Sequence, residues 1–279
     1  MANDVLGLIA GEGRLPVLVA RGMRAQGARV ACVAFRGHAD PELQGICEHF
    51  EEVSLYRPSA WIRRLRRWGA HDAVMVGGVS KSRMMHDPWR LLRDIPDWRA
   101  IRVWYRRLRH DKRDRALLAA IAEELSHAGI EIIDSTTHIA EHMAGSGQLG
   151  SVAPTAGQTS DIAFGWSLVQ TSADIGIGQA MAIREGDVLA VEAAEGTAAM
   201  IKRAGALCRI SGWVLLKNAS ADHDQRADVP TIGVETIEQL SASGGGAVAV
   251  GAGRVILLEQ DLVLAAADKA GIAVVGMDT

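Results

Sequence analysis

Short apolar runs alternate with amphipathic segments over the first half of the chain. Four of the runs have the length of a buried strand: Val5–Ala10, Arg29–Phe35, Ala73–Val76 and Ile130–Ile133. Apolar positions recur at helical spacing from Leu15 to about Gln26, and again over 111–128, where Gly129 ends the pattern. Strands that alternate with helices in this way predict βαβ units, and therefore a Rossmann-like domain with a parallel sheet.

The second half is again a mixture of helix and strand patterns. The pattern predicts helices over 161–172, 197–206, 235–242 and 260–270, and strands over 181–192, 213–217, 247–258 and 272–275. Residues 144–160 are rich in Gly, Ser, Ala and Thr and poor in charge, which is typical of a domain boundary. The sequence thus predicts an α/β protein of two mixed α/β domains, 1–143 and 161–279, with a linker region over 144–160 and a ligand cleft between the domains.

Length and cysteine content narrow the class of protein. A chain of 279 residues agrees with two domains. The three cysteines are far apart and form no C-x-x-C motif, which argues against a disulfide framework or a zinc finger and favours a reducing compartment. The first residues show no basic segment followed by an apolar core, and no apolar run reaches the about 18 residues of a membrane-spanning helix. We therefore expect a cytoplasmic protein.

Charge is distributed unevenly, although the formal net charge is only −3. Residues 61–115 hold 16 Lys or Arg against 6 Asp or Glu, together with five of the seven Trp. Arginines interleaved with Trp and Leu suit an amphipathic helix on an anionic membrane surface, and they also suit a nucleic-acid surface. A third interpretation stays open, in which the arginines are solvated and the Trp side chains pack into the core.

A glycine-rich turn separates the first predicted strand from the first helix. Gly7, Gly11 and Gly13 would let a ligand approach the backbone, and the helix that follows offers free N–H groups, so the turn is a candidate phosphate site. The dinucleotide fingerprint is incomplete, because Pro16 stands where its third glycine is expected. Arg36 follows the second strand and suits a 2′-phosphate, which leaves an NADP-dependent oxidoreductase open as an alternative. A purely structural turn is the other alternative.

Carboxylates cluster in two places of the second half. Glu192 and Glu195 flank the end of an apolar strand, and Asp224 and Asp228 lie in a polar loop just before Pro230. Hard oxygen ligands at strand ends are typical of a magnesium site that meets a substrate pyrophosphate. The alternative is an acidic loop that is merely solvated.

Several segments of the chain are similar to the LpxI family. DIGIGQA (174–180), AVEAAEGT (190–197) and RADVPTIGVETI (226–237) resemble its second domain, and GLIAGEGRLP (7–16) and VGGVSK (76–81) resemble its first. The segments cover nearly the whole chain in the family's order. The resemblance implies a UDP-2,3-diacylglucosamine pyrophosphatase of lipid A biosynthesis. Such an enzyme would use magnesium-assisted attack of water on the α-phosphorus and release UMP and 2,3-diacylglucosamine 1-phosphate.

The resemblance also implies roles for the residues that match the family's motifs. The implied catalytic residues are Asp228 and Arg226, and the implied ligands of Mg²⁺ are Asp228, Asp224, Glu192 and Glu195. The implied substrate-binding residues are Gly11, Gly13, Leu15, Pro16, Gly78, Val79, Ser80, Gly178, Gln179, Gly196, Thr197, Lys217 and Thr231.

A lipid-linked UDP-sugar substrate also implies which partners the protein has and where in the cell it acts. It implies a protein that is peripheral to the cytoplasmic face of the inner membrane, that binds no nucleic acid and for which a homodimer is the candidate assembly. A nucleotide- or lipid-binding protein without catalysis stays open as a further alternative.

Overall fold

A computed structural model describes residues 4–78, 95–103, 105, 114–220 and 229–278. The chain divides into two compact units, of which the first ends at Ile139 and the second begins at Ala140. The segment predicted as a linker, 144–160, holds a short strand and the start of a long helix of the second unit.

The first unit alternates strands with helices, as the hydrophobic pattern predicts. Its strands are β1 (Val5–Ala10), β2 (Arg29–Phe35), β3 (His49–Val53), β4 (Asp72–Val76) and β5 (Glu131–Ile132). Its helices are α1 (Leu15–Ala25), α2 (Leu43–Ile46), α3 (Pro58–Arg67), α4 (Trp98–Val103) and α5 (Asp114–Ser126).

All five strands of the first unit form one parallel sheet in the order β3-β2-β1-β4-β5. The central strands are buried on both faces, as expected where helices cover a parallel sheet. Trp61 and Leu65 of α3 pack with Ile9 and Val33 in the core on one side. The Rossmann-like prediction is confirmed, and β3 is the one strand of this sheet that the pattern did not predict.

The second unit contains eight strands and four α-helices among the described residues. The strands are β6 (Gly147–Gln148), β7 (Ala180–Arg184), β8 (Asp187–Val191), β9 (Trp213–Lys217), β10 (Thr231–Ile232), β11 (Gly245–Gly251), β12 (Ile256–Leu257) and β13 (Ala273–Met277). The helices are α6 (Ala156–Asp174), α7 (Thr197–Leu207), α8 (Val234–Ala242) and α9 (Gln260–Ala270), and Ala140–His142 form a 3-10 turn.

Six of these strands form a mixed sheet in the order β6-β13-β11-β9-β7-β8. Strands β9, β11 and β13 are parallel, whereas β7 is antiparallel to both β9 and β8. Strands β8 and β9 therefore run in the same direction and end at the same edge. The prediction of a second mixed α/β domain is confirmed.

None of the helices in the described ranges combines the length and the apolar character that a membrane crossing requires.

Candidate functional site

Polar groups of the second unit gather where β8 and β9 end. Lys217 is the last residue of β9, Glu192 directly follows β8, and Gln179 directly precedes the antiparallel β7. Backbone hydrogen bonds fix this edge, because the Glu192 N–H donates to Ala180 O at 2.9 Å and the Asn218 N–H donates to Gln179 O at 2.9 Å. The carboxyl ends of neighbouring strands are the usual ligand-binding edge of an α/β sheet.

Three side chains at this edge form one chain of hydrogen bonds. The Thr197 hydroxyl donates to Glu192 Oε1 at 2.8 Å, and Lys217 Nζ donates to Thr197 Oγ1 at 3.0 Å. Lys217 is 7% exposed, and Glu192 Oε2 is buried without a hydrogen-bond partner among the described residues. A buried lysine and a partly buried glutamate are thus joined through one hydroxyl.

The N-terminus of α7 lies at the same place. Gly196, its N-cap residue, has φ +82° and no side chain with which to cap the helix, and among the described residues no side chain accepts a hydrogen bond from the first N–H groups of α7. A helix N-terminus with this arrangement favours an anion. Gly178 packs against the strand end, since a Cβ there would lie 1.9 Å from Glu192 O.

The structure gives Glu195, a predicted metal ligand, a different partner from Glu192. Arg203 donates to Glu195 Oε1 at 2.5 Å. A hydrogen bond from its own backbone N–H and the hydrogen bond from Arg203 hold the pKa of the Glu195 carboxyl below its ordinary value. Its negative charge is therefore compensated within the protein.

A polar network at the same edge was not predicted. Asn218 is fully buried, and its Nδ2 donates to Gln170 Oε1 at 2.6 Å. Arg254 Nη1 donates to the same oxygen at 3.1 Å. An Asn directly after the buried strand β9, which ends in Lys217, is the signal that was available, because such a residue lies at the ligand-binding edge of the sheet.

The loop that carries the predicted catalytic residues is described only at its ends. Asp224, Arg226 and Asp228 lie outside the described residues. Thr231 begins β10 and pairs with Ile256 of β12.

In the first unit the predicted site residues that the structure describes lie at the switch point of the parallel sheet: Gly11, Gly13, Leu15, Pro16 and Gly78. The strand order reverses between β1 and β4, and ligands of such sheets bind outside the carboxyl ends of the strands there. Gly11 N–H donates to Val76 O at 2.8 Å, and Glu12 N–H donates to Gly78 O at 2.8 Å. The loops after β1 and β4 are therefore held side by side.

Glycine is required for different structural reasons at the two positions of this turn. A Cβ on Gly11 would lie 2.5 Å from Gly78 O, so close packing of two backbones requires this glycine. Gly13 has φ +94° and open space around its Cα. Leu15 and Pro16 form the first turn of α1, where Pro fits because its missing N–H is not needed. Val79 and Ser80 lie outside the described residues.

The fit to a divalent cation rests on one side chain in the described part of the chain. No group of three or more His, Cys, Asp or Glu is placed there to hold a metal ion. Glu192 fits as one ligand, because its Oε2 is buried and accepts no hydrogen bond from the described residues. Of the other three predicted ligands, Glu195 is paired with Arg203, and Asp224 and Asp228 belong to the loop outside the described ranges.

Comparison with known proteins follows the same division of the chain. Residues 5–142 match the LpxI N-terminal domain, and residues 145–275 match the LpxI C-terminal domain. The chain is 34% identical to the UDP-2,3-diacylglucosamine pyrophosphatase LpxI of Caulobacter vibrioides, over an alignment of 283 positions that covers 98% of this chain and 97% of that protein. These matches confirm the resemblance seen in the sequence and do not favour an NADP-dependent oxidoreductase.

Proposed function

Because this chain belongs to the LpxI family, we propose that it hydrolyses the pyrophosphate bond of UDP-2,3-diacylglucosamine in lipid A biosynthesis. The products would be UMP and 2,3-diacylglucosamine 1-phosphate. The relative from Caulobacter vibrioides is named for this activity, and the alignment covers nearly the full length of both chains.

The observation that carries the proposal is the linked set Glu192, Thr197 and Lys217 at the N-terminus of α7. A substrate phosphate at this place would meet a lysine ammonium, a threonine hydroxyl and backbone N–H groups. All three favour negative charge, and they act most strongly where water is excluded. Lys217 is held in position by Thr197, so little reorganisation would be needed when the phosphate binds.

The chain's own residues would divide the work of hydrolysis. Lys217, Thr197 and the start of α7 would hold and neutralise phosphate oxygens. Asp228 would orient the attacking water, and Arg226 would compensate charge that develops on the pyrophosphate.

We also propose that the reaction depends on Mg²⁺, held by Glu192 together with Asp224 and Asp228. A bound divalent cation supplies charge neutralisation at the pyrophosphate and a more acidic water. The buried, unpaired Oε2 of Glu192 supports this assignment.

Association with the membrane surface is part of the proposal, because the substrate carries two acyl chains. The support is the basic, Trp-rich segment 61–115. Two of its described tryptophans have different surroundings: Trp61 is buried and donates through Nε1 to Ser54 O, whereas Trp98 is exposed.

An assay with purified substrate tests the function directly. We expect the protein to release UMP from UDP-2,3-diacylglucosamine in detergent micelles with Mg²⁺. Asp228→Ala should lower kcat by several orders of magnitude, because positioning of water or metal contributes roughly 4–7 kcal/mol to lowering such barriers. Asp187→Ala is the matched control, since Asp187 is an exposed carboxylate at the opposite end of β8. Absence of UMP release by the wild type, or equal activity of both variants, would contradict the proposal.

Hydrolysis in H₂¹⁸O tests which phosphorus is attacked. The expected attack on the α-phosphorus puts the label into UMP. Label in 2,3-diacylglucosamine 1-phosphate would instead assign the attack to the β-phosphorus, and the hydrolase assignment would stand unchanged.

A further inference from the structure

An open cavity of ≈ 490 Å³ lies between α3 and α4 of the first unit, outside the candidate site. Ser59, Ile62, Arg63 and Arg66 of α3 line it, and Arg99 of α4 completes it. The four α3 residues have the spacing i, i+3, i+4 and i+7 and so lie on one face of the helix. Ile62 is buried, whereas Arg63 and Arg66 are exposed, so the cavity has an apolar residue and free guanidinium groups.

The cavity carries an excess of positive charge. Neither Arg63 nor Arg66 has an ion pair or a hydrogen bond to another described side chain. Arg99 is paired with Glu124 at 3.0 Å, and the same carboxylate lies 3.8 Å from Arg102, so it compensates at most one of the three charges in the cavity. Two uncompensated guanidinium groups on one helix face repel each other, and an anion between them removes that repulsion.

The cavity is held in shape by one carboxylate that joins the two helices. Asp97 Oδ2 accepts from the Ser59 N–H at 2.7 Å, and Asp97 Oδ1 accepts from the Ala100 N–H at 2.9 Å. The start of α4 is thereby fixed against the start of α3. Arg57 adds a hydrogen bond from its Nε to Ile95 O at 3.1 Å. Arg99 is thus fixed in position opposite Arg63 and Arg66 before any ligand arrives.

The outer face of α4, together with Ile95 just before the helix, is apolar and exposed beside these cations. Ile95 is 64% exposed, Trp98 69% and Ile101 47%. Trp98 and Ile101 are three residues apart and share one face of the helix, whereas Arg99 points to the cavity. A Trp with flanking isoleucines next to arginines is the arrangement of a membrane-interface anchor, in which the ring lies at headgroup depth.

We propose that the cavity formed by Ser59, Arg63, Arg66 and Arg99 binds the phosphate of an anionic phospholipid headgroup, while Ile95, Trp98 and Ile101 enter the surrounding interface. Arginine pairs phosphate through its planar fork of donors, and the Ser59 hydroxyl adds a donor. The site is separate from the residues assigned to hydrolysis. This assignment rests on the proposed membrane association. It adds to that proposal the class of lipid that is bound and the residues that recognise the lipid.

Vesicle binding of charge variants tests the assignment. The protein is sedimented with phosphatidylcholine vesicles that contain or lack phosphatidylglycerol. The double variant Arg63→Gln/Arg66→Gln should weaken partitioning onto the anionic vesicles by roughly 30-fold, the change that corresponds to two lost cations at such a surface. The matched control is Arg24→Gln/Arg67→Gln, which removes the same charge from exposed positions of the first unit outside the cavity. The control variant should weaken binding to anionic vesicles by a factor several times smaller than Arg63→Gln/Arg66→Gln does.

The outcomes separate the cavity from a diffuse field and from a soluble anion. If both double variants lose the same amount of binding to anionic vesicles, or if Arg63→Gln/Arg66→Gln loses none, the cavity is not a lipid-binding site. If the wild-type protein does not bind anionic vesicles, the proposed membrane association itself is wrong. Trp98→Ser should weaken vesicle binding but leave binding of inorganic phosphate unchanged. If Trp98→Ser has no effect on vesicles while inorganic phosphate displaces the protein from them at constant ionic strength, the site takes a soluble phosphate and the lipid assignment is wrong.

Two further measurements keep the test independent of folding and of catalysis. Thermal melting should be unchanged in the double variant, because both side chains are exposed. If the double variant melts at a lower temperature than the wild type, vesicle binding is compared between the single variants Arg66→Gln and Arg67→Gln. Arg66→Gln should then weaken binding to anionic vesicles by about fivefold. Hydrolysis of micellar substrate should be unchanged in all of these variants, and a loss there would place the arginines in the substrate site and overturn a separate lipid site.

Discussion

Thr197 is the residue on which the second-unit site depends, because its hydroxyl serves both charged neighbours. It donates to Glu192 and accepts from Lys217. Thr197→Val keeps the shape of the side chain and removes both hydrogen bonds. Since a buried group that loses its partner costs about 1–3 kcal/mol, we expect the free energy of unfolding to fall by about that amount and KM to rise. Urea denaturation and steady-state kinetics measure the two effects.

Thr197→Ser is the matched control for this change, because it keeps the hydroxyl and loses only a methyl group. It should restore most of the stability and of the KM. If the Val and Ser variants are equally impaired, packing of the methyl group rather than the hydrogen bonds explains the role of Thr197.

Glu51 links β3 to α3 and gives a pH-dependent contribution to stability. Arg64 donates two hydrogen bonds to it, at 2.6 and 2.7 Å, and these hold the pKa of the Glu51 carboxyl below its ordinary value. A lowered pKa in the folded state stabilises the protein above the unfolded-state pKa, and the contribution is lost as the pH falls through the folded-state pKa. Glu51→Gln should therefore cost at most about 1 kcal/mol at neutral pH, because the pair is partly exposed.

The same variant should match the wild type once the pH is well below about 4.3, the ordinary Glu value. Urea unfolding at the two pH values measures the difference. Glu52→Gln removes a carboxylate from the exposed neighbouring position of β3 and is the matched control, which should cost less stability at neutral pH than Glu51→Gln. A constant difference between wild type and Glu51→Gln at all pH values would contradict the ion-pair explanation.

At the scale of elements, the turn after β1 and the loop after β4 stabilise each other. Gly11→Ala would place a Cβ 2.5 Å from Gly78 O, a backbone atom that cannot move aside alone. We expect a loss of about 1–3 kcal/mol in the free energy of unfolding. Gly45→Ala is the control, because no atom lies within 4 Å of the Cβ it would add in α2. It should be neutral or stabilising, and a loss as large as that of Gly11→Ala would show that close backbone approach is not the cause.

The elements also show what the sequence could and could not predict. The apolar runs Val5–Ala10 and Arg29–Phe35 are buried strands of a parallel sheet, for which continuous hydrophobicity is a sufficient signal. Strand β3 was missed because HFEEV carries charge at two of its five positions. One of these charges, that of Glu51, is compensated by an ion pair with Arg64. The start of α6 was placed five residues late, although Thr155 and Gln158 form a capping box that is readable from sequence.

The candidate site was predicted as separate residues and not as an arrangement. Glu192 was predicted as a carboxylate at the end of a strand, whereas Thr197 and Lys217 were predicted from the resemblance to the family. Their shared hydrogen bonds depend on β7 running antiparallel between β8 and β9, which puts both strand ends at one edge. Strand order of this kind is set by packing of distant segments, so no local pattern contains it.

At the scale of the whole molecule, the charge balance predicts dependence on a divalent cation. The half of the chain from residue 150 onward carries 8 Lys or Arg against 15 Asp or Glu, yet it holds the residues assigned to a pyrophosphate. The cations near the assigned phosphate position are few, and Lys217 already shares Thr197 with Glu192. Carboxylates that approach a pyrophosphate without a metal ion would repel it, so we expect excess EDTA to abolish UMP release and added Mg²⁺ to restore it.

Glu192 allows this prediction to be separated from simple charge repulsion. Glu192→Gln removes a negative charge and a metal ligand together, and it keeps an oxygen that can accept from Thr197. If a cation is needed, this variant should require more Mg²⁺ for half-maximal activity than the wild type. If repulsion alone limits the reaction, the same variant should be active without added metal. Full activity of metal-free wild-type protein in EDTA, with the metal content verified, would remove the cation from the reaction and leave Lys217, Thr197 and Arg226 to neutralise the pyrophosphate.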